Sequence, residues 1–131
     1  HQGGAMVAPG VGSMDQSEVI SFIKDSPAGV LALVDGDKPY AVPLEHHFDG
    51  NTLSFITSAR KGRKNNCIEN NPNACYVIYE SRREKPEKAT PCRSVVIEGR
   101  VTLHGATLVM DIGRIGNWKC PPAMFATCDV G

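Results

Sequence analysis

Two Asp-Gly turns, DGDK at 35–38 and DGN at 49–51, cut the first half of this chain into short β-rich runs. GVLALV (29–34) is almost wholly apolar, PYAVPLEHHF (39–48) follows the first turn, and TLSFITSA (52–59) follows the second. Tight turns between such runs bring successive strands together antiparallel, because a crossover to a parallel neighbour needs a dozen or more residues. ACYVIYE (74–80) and SVVIEGRVTLH (94–104) continue the pattern, with Gly99 marking a bulge or bend.

Helices are expected at the margins. Over 14–26 the apolar residues Val19, Ile20, Phe22 and Ile23 share one helical face, Ser13 or Asp15 can cap the start, and Pro27 ends it. Residues 64–72 read as a brief helix closed by Asn70 and Pro72, and 107–118, TLVMDIGRIGNW, as a helix that fails at its glycines. Pro43 interrupts its strand and has no amide hydrogen for a ladder, so that strand belongs at an edge, at a bulge or beside a ligand. The charged, proline-broken segment 81–91 reads as an exposed loop. Short strands with marginal helices predict a small antiparallel barrel, mainly β.

With 131 residues the chain has the size of one domain. Residues 1–13, rich in glycine and small residues, read as an appended leader ahead of a native start at Met14, leaving 14–131 as the domain. The end, FATCDVG, stops in a strand-like run without a closing element, as a chain cut short would. Lys plus Arg and Asp plus Glu each total 14, so no global field draws the chain to nucleic acid or an anionic membrane. No stretch approaches the roughly 18 apolar residues of a spanning helix, and the expected compartment is the cytoplasm. Five scattered cysteines with no CxxC pair suit reduced thiols better than a disulfide framework or a zinc site.

The stretch TSARKGRKNN (57–66) concentrates charge at one place. Nucleic acid usually needs a broader basic footprint with exposed aromatics, and Phe48 and Phe55 read as core. A solvated basic turn is the plain alternative. Position favours a third role: Thr57 and Ser58 close a strand, Gly62 lets the backbone turn, and Lys64 opens a helix whose free amides face back. Hydroxyls, amides and cations then converge as a phosphate monoester requires. The glycine spacing is not that of a GxxxxGK[ST] nucleotide loop, so a cofactor phosphate suits it better than ATP.

The order GVLALV, PYAVPL, DGNTLSFITSARKGRK, NNPNACYVIYE, CRSVVIEGRV resembles the flavin-binding split-barrel family related to pyridoxamine 5′-phosphate oxidase, and within it the branch of the nitroimidazole-resistance proteins. The likeness spans roughly 27–101. It implies a six-stranded antiparallel split barrel that forms a homodimer, with FMN in clefts between subunits. Val42, Pro43, Leu44 and Glu45 would then run along the isoalloxazine ring. Thr57, Ser58 and Ala59 would end at the ribityl phosphate, with Arg63 and Lys64 supplying its countercharge. A flavin edge beside Pro43 would explain why its strand can be interrupted. That branch usually carries a histidine where this chain has Thr57.

His46 and His47 adjoin the implied flavin strand, and alternation lets only one face the cleft. That histidine is a structural strand residue, a proton donor to substrate or an axial haem ligand. Trp118, before the CPP turn, is a packing residue or a lid over the ring; Tyr40 and Tyr79 read as barrel wall. No nucleophile, acid–base dyad or zinc pattern is legible. The functional expectation is an FMN-dependent oxidoreductase, a flavin reductase or nitroreductase type, acting on a small oxidised organic molecule and drawing electrons from a nicotinamide donor that visits the cleft. The alternatives are a pyridoxamine-phosphate-oxidase-like enzyme and a non-catalytic flavin or haem protein, with F420 as a further cofactor choice.

Overall fold

The computed structural model describes residues 14–57, 62–81 and 92–120. Helix α1, Gln16–Asp25, is capped by Asp15, whose carboxylate accepts the Glu18 amide at 2.8 Å and the Ser17 hydroxyl at 3.2 Å. The cap satisfies an amide with no partner inside the helix. At the other end the Ser26 amide and hydroxyl both donate to the Phe22 carbonyl, at 3.1 and 2.7 Å. Val19, Phe22 and Ile23 form the buried face.

The strands are β1 (Ala28–Asp35), β2 (Lys38–Glu45), β3 (His47–Phe48), β4 (Thr52–Ile56), β5 (Asn73–Glu80), β6 (Arg93–His104) and β7 (Thr107–Lys119), with helix α2 (Arg63–Asn70) between β4 and β5. They form one antiparallel sheet in the order β2-β1-β5-β6-β7-β4-β3. The architecture is the mainly β split barrel that the resemblance implies, with seven strands instead of six. The additional strand arises because the run 39–48 breaks at His46: β2 lies at one edge of the sheet and β3 at the other. Only His46 separates them, so residues 45 and 47 stand no more than about 7 Å apart. The sheet must curl until its two edges meet at that point.

Inside the curl the strands alternate as a half-buried sheet should. Leu31 and Leu33 on β1, Phe55 on β4, Tyr76 and Ile78 on β5, Val95 and Ile97 on β6, and Leu108, Met110 and Ile115 on β7 make the core. The first hairpin turns at Gly36, with φ 67°, between the paired residues Asp35 and Lys38. In the next turn the Asp49 carboxylate accepts the amides of Asn51 and Thr52, both at 2.8 Å. Pro43 of β2 pairs with Val30 of β1, and β2 lies at an edge of the sheet, where a proline without an amide hydrogen is tolerated.

One expectation fails. Residues 107–118 are not a helix; they form most of β7, paired with β6 from Thr107 opposite His104 to Lys119 opposite Arg93. Between Glu98 and Gly99 the register shifts, so that Glu98 faces Arg114 while Gly99 faces Ile112 and Gly113 is left over as a bulge. That inserted residue moves the buried positions from 108, 110 and 112 to 115, and 108, 112 and 115 then mimic helical spacing. Gly99 sits where a Cβ would run into the Asp111 carbonyl oxygen.

Candidate cofactor cleft

Two places among the described residues bear on ligand binding, the outer side of β2 and the start of α2. Among the described residues no strand pairs with the outer side of β2. The second is the start of α2, where Gly62 offers no side-chain cap and the first turn holds no acid but two cations, Arg63 and Lys64. The space in front of Gly62 is open: a Cβ there would meet no described atom within 4 Å. A helix start with no side-chain cap and two cations presents a positive dipole end, which favours an anion.

Arg63 joins these two places. Its Nε donates to Asp35 Oδ2 at 2.7 Å, and its guanidinium carbon lies 4.2 Å from the centroid of the Tyr40 ring. Asp35 ends β1 and Tyr40 lies on β2, so the start of α2 is fastened to the β1–β2 hairpin two residues from Val42. The pair is exposed and contributes only about 0–1 kcal/mol to stability. Its value is orientation, because a guanidinium has five N–H donors and can hold Asp35 while donating to a second anion. Lys64 is half-buried beside it. The Thr57 amide donates to the Ala106 carbonyl at 2.8 Å, extending the β4–β7 ladder and fixing the chain just before the cationic segment. Ser58 and Ala59 lie outside the described residues.

On β2 the site residues divide between two faces. Val42 and Leu44 pack half-buried against the core, while Pro43 and Glu45 are exposed on the outer face. That outer face is unusually apolar. The ladder aligns Pro43, Val30, Val77, Val96 and Gly116 in one row across five strands. Val30 is 41% exposed, Val96 38%, and Tyr79 in the next row 50%. Tyr79 is therefore an outward residue, not barrel wall as expected, and through Ser94 it is aligned with half-buried Trp118. A hollow of about 590 Å³ continues this face past Ala32, Cys75, Glu98 and Arg114. Burial first, and the Glu98 charge second, push the Cys75 thiol up, away from a reactive thiolate.

His46 occupies the point where the sheet edges meet. Its Nδ1 stands 2.7 Å from the Tyr76 hydroxyl and its Nε2 2.8 Å from the Ile23 carbonyl oxygen. A carbonyl only accepts, so Nε2 carries a hydrogen. Both ring nitrogens of His46 are thus engaged within the fold. Tyr40 is a half-buried wall residue, as expected, but it also carries the Arg63 stack. Cys67, Cys75, Cys92 and Cys120 are thiols. Among the described residues no group of three or more His, Cys, Asp or Glu side chains is gathered as metal ligands would be. No described helix is long and apolar enough to cross a membrane.

A cofactor with a phosphate at one end and a planar apolar ring at the other fits this donor set: cations and amides at α2, open backbone and apolar surface along β2. The family model described as pyridoxamine 5′-phosphate oxidase matches residues 15–106. This chain belongs to the pyridoxamine 5′-phosphate oxidase family. Solved structures share the fold at low identity. An FAD-binding protein from Mesorhizobium loti superposes with a TM-score of 0.69 at 16% identity, covering 82% of this chain and 96% of its own. An FAD-binding protein from Mycobacterium smegmatis gives 0.65 at 13%, covering 82% and 95%. A candidate 5-nitroimidazole antibiotic resistance protein from Bacteroides thetaiotaomicron gives 0.65 at 13%, covering 79% and 82%. No curated protein matches the sequence.

The match to the pyridoxamine 5′-phosphate oxidase family runs from the α1 cap to the β6–β7 turn. It holds β2 and the start of α2 and leaves Trp118 outside. Two contributors to the cleft were not legible as such. Asp35 reads only as a turn residue in DGDK, and its use as an anchor for Arg63 depends on a contact between residues 28 positions apart. Tyr40 carries a weak signal, an aromatic residue beginning a strand that ends in Val-Pro-Leu.

Proposed function

We propose that this chain is an FMN-dependent oxidoreductase acting on a small oxidised organic molecule, with the cofactor in a cleft shared by two copies of the chain. The observation that carries this reading is Arg63, which ties an uncapped cationic helix start to an edge strand carrying exposed Pro43. Arg63 and Lys64, with Thr57, Ser58 and Ala59, hold the phosphate. Val42, Pro43, Leu44 and Glu45 line the ring, chiefly through their backbone and the outward side chains of Pro43 and Glu45.

Hydride transfer is the chemistry a bound flavin supplies, and the protein supplies position, countercharge and shelter from water. A nicotinamide donor reaches the ring transiently from the open side. The apolar row Pro43, Val30, Val77 and Val96 supports the dimer, since such a face is stabilised by covering it with a second copy. Trp118 and Tyr79 border that row, where they would contribute to the partner's cleft.

Titration of purified protein with FMN, FAD, F420 and haem tests the reading. The expected result is tightest binding of FMN, with light scattering giving a dimer. Preference for haem, or no uptake of any flavin, would overturn it. Turnover of a nicotinamide donor by the loaded protein separates an enzyme from a carrier.

A further inference from the structure

The Tyr76 and His46 side chains make a hydrogen-bonded latch that no role described so far requires. Tyr76 lies on β5 with its ring wholly buried, yet its hydroxyl oxygen reaches within 2.8 Å of the Leu44 carbonyl oxygen of β2, two strands away. It reaches there beneath Gly29 of β1, where an added Cβ would stand 2.7 Å from the tyrosine Cζ. Glycine at 29 thus leaves the notch through which the phenol passes. Phe55 of β4 holds the ring by an edge contact with centroids 4.8 Å apart. The same hydroxyl stands 2.7 Å from His46 Nδ1, so its one hydrogen is shared between that bare nitrogen and the Leu44 carbonyl oxygen, while His46 Nε2 donates to the Ile23 carbonyl of α1 at 2.8 Å.

This chain of contacts joins α1, β5 and the end of β2 at the one place where the two sheet edges meet. The Leu44 carbonyl it reaches belongs to an edge strand that, among the described residues, has a neighbour on one side only. An edge strand paired on one side has freedom to shift, and a buried hydroxyl on its carbonyl removes that freedom. Arg63 and Asp35 pin the other end of the same hairpin at the surface.

We propose that Tyr76 and His46 are positioning residues that set the orientation of the Leu44–Glu45 end of β2, and through it the geometry of the flavin ring. The proposal rests on the flavin-cleft reading and names the residues that fix the ring end of that cleft. Burial pushes the Tyr76 hydroxyl's pKa well up, so it stays a neutral donor throughout the working range.

The test is FMN titration of wild type and Tyr76→Phe, following affinity and the visible circular dichroism of the bound flavin. Tyr76→Phe keeps the ring and removes only the hydroxyl. The expected result is a lowered FMN affinity, with the dichroism of bound flavin altered. Ile97→Val, a core change outside the latch, is the control: it lowers thermal stability but leaves the dichroism of bound flavin as in wild type. Should Tyr76→Phe fail to fold, His46→Gln is read in the same way. Wild-type affinity and dichroism in the folded latch variants overturn the latch while leaving the flavin reading intact. A wild-type protein that takes up no flavin overturns both.

Discussion

The β6–β7 hairpin and the β2 strand are built by the same ladder but do opposite work. β6 is paired on both sides, with β5 and β7, and β7 with β6 and β4. Their inward residues Val95, Ile97, Leu108, Met110 and Ile115 sit in the middle of the core. Among the described residues β2 is paired on one side only; it carries a proline and keeps Pro43 and Glu45 exposed. Stability is concentrated where every backbone group is matched, and ligand-binding capacity where some are left over. Substitutions on the two elements should therefore separate folding from binding.

The largest effect is expected in the hairpin. Ile97→Ala, at a site with no exposure, should cost about 2–5 kcal/mol in chemical denaturation, through lost transfer energy and the cavity left behind. Gly99→Ala should cost about 1–3 kcal/mol, because the new Cβ meets the Asp111 carbonyl and the bulge must reorganise. Ile97 lies in the core, away from the proposed cleft, so flavin affinity of its folded fraction should stay near wild type. Pro43→Val sharpens the contrast from the other side: stability should move by no more than about 0.5 kcal/mol at an exposed edge, while flavin affinity changes. A Pro43→Val variant that loses stability as Ile97→Ala does would break the distinction between the two elements.

A smaller effect belongs to the α1 cap. The Glu18 amide, then the Ser17 hydroxyl, holds the Asp15 carboxyl below its usual value of 3.8. A lowered folded-state pKa gives stability that is present above 3.8 and lost as pH falls through the lower folded value. Asp15→Asn should keep the cap geometry but abolish that part of the acid dependence, as thermal melts between neutral and acid pH would register.

The sequence made most of the fold legible because the decisive features are local. Alternation, two Asp-Gly turns and a proline in a strand place β1, β2, β4, β5 and β6 and confine β2 to an edge, a bulge or a ligand's side. β7 was not legible, since the residue inserted at Gly113 destroys the two-residue period that marks a strand. The split of 39–48 into β2 and β3 was hidden for a different reason. His46 breaks the run because its ring reaches Tyr76 and Ile23, contacts 30 and 23 residues away that no local pattern encodes. At the cleft, the cations of 60–64 and their place before a helix were readable, whereas the Asp35 and Tyr40 partners of Arg63 appear only once the hairpin folds back on α2.

The central claim is that the start of α2 holds a flavin phosphate, and comparing FMN with riboflavin, which lacks the phosphate, tests it most directly. Isothermal titration of wild type should show FMN preferred more than tenfold, in keeping with charge-assisted contacts of about 1.5 kcal/mol or more each. In the double variant Arg63→Ala, Lys64→Ala that preference should fall to near unity while riboflavin binding is unchanged. A double variant that still prefers FMN as strongly as wild type would contradict the account.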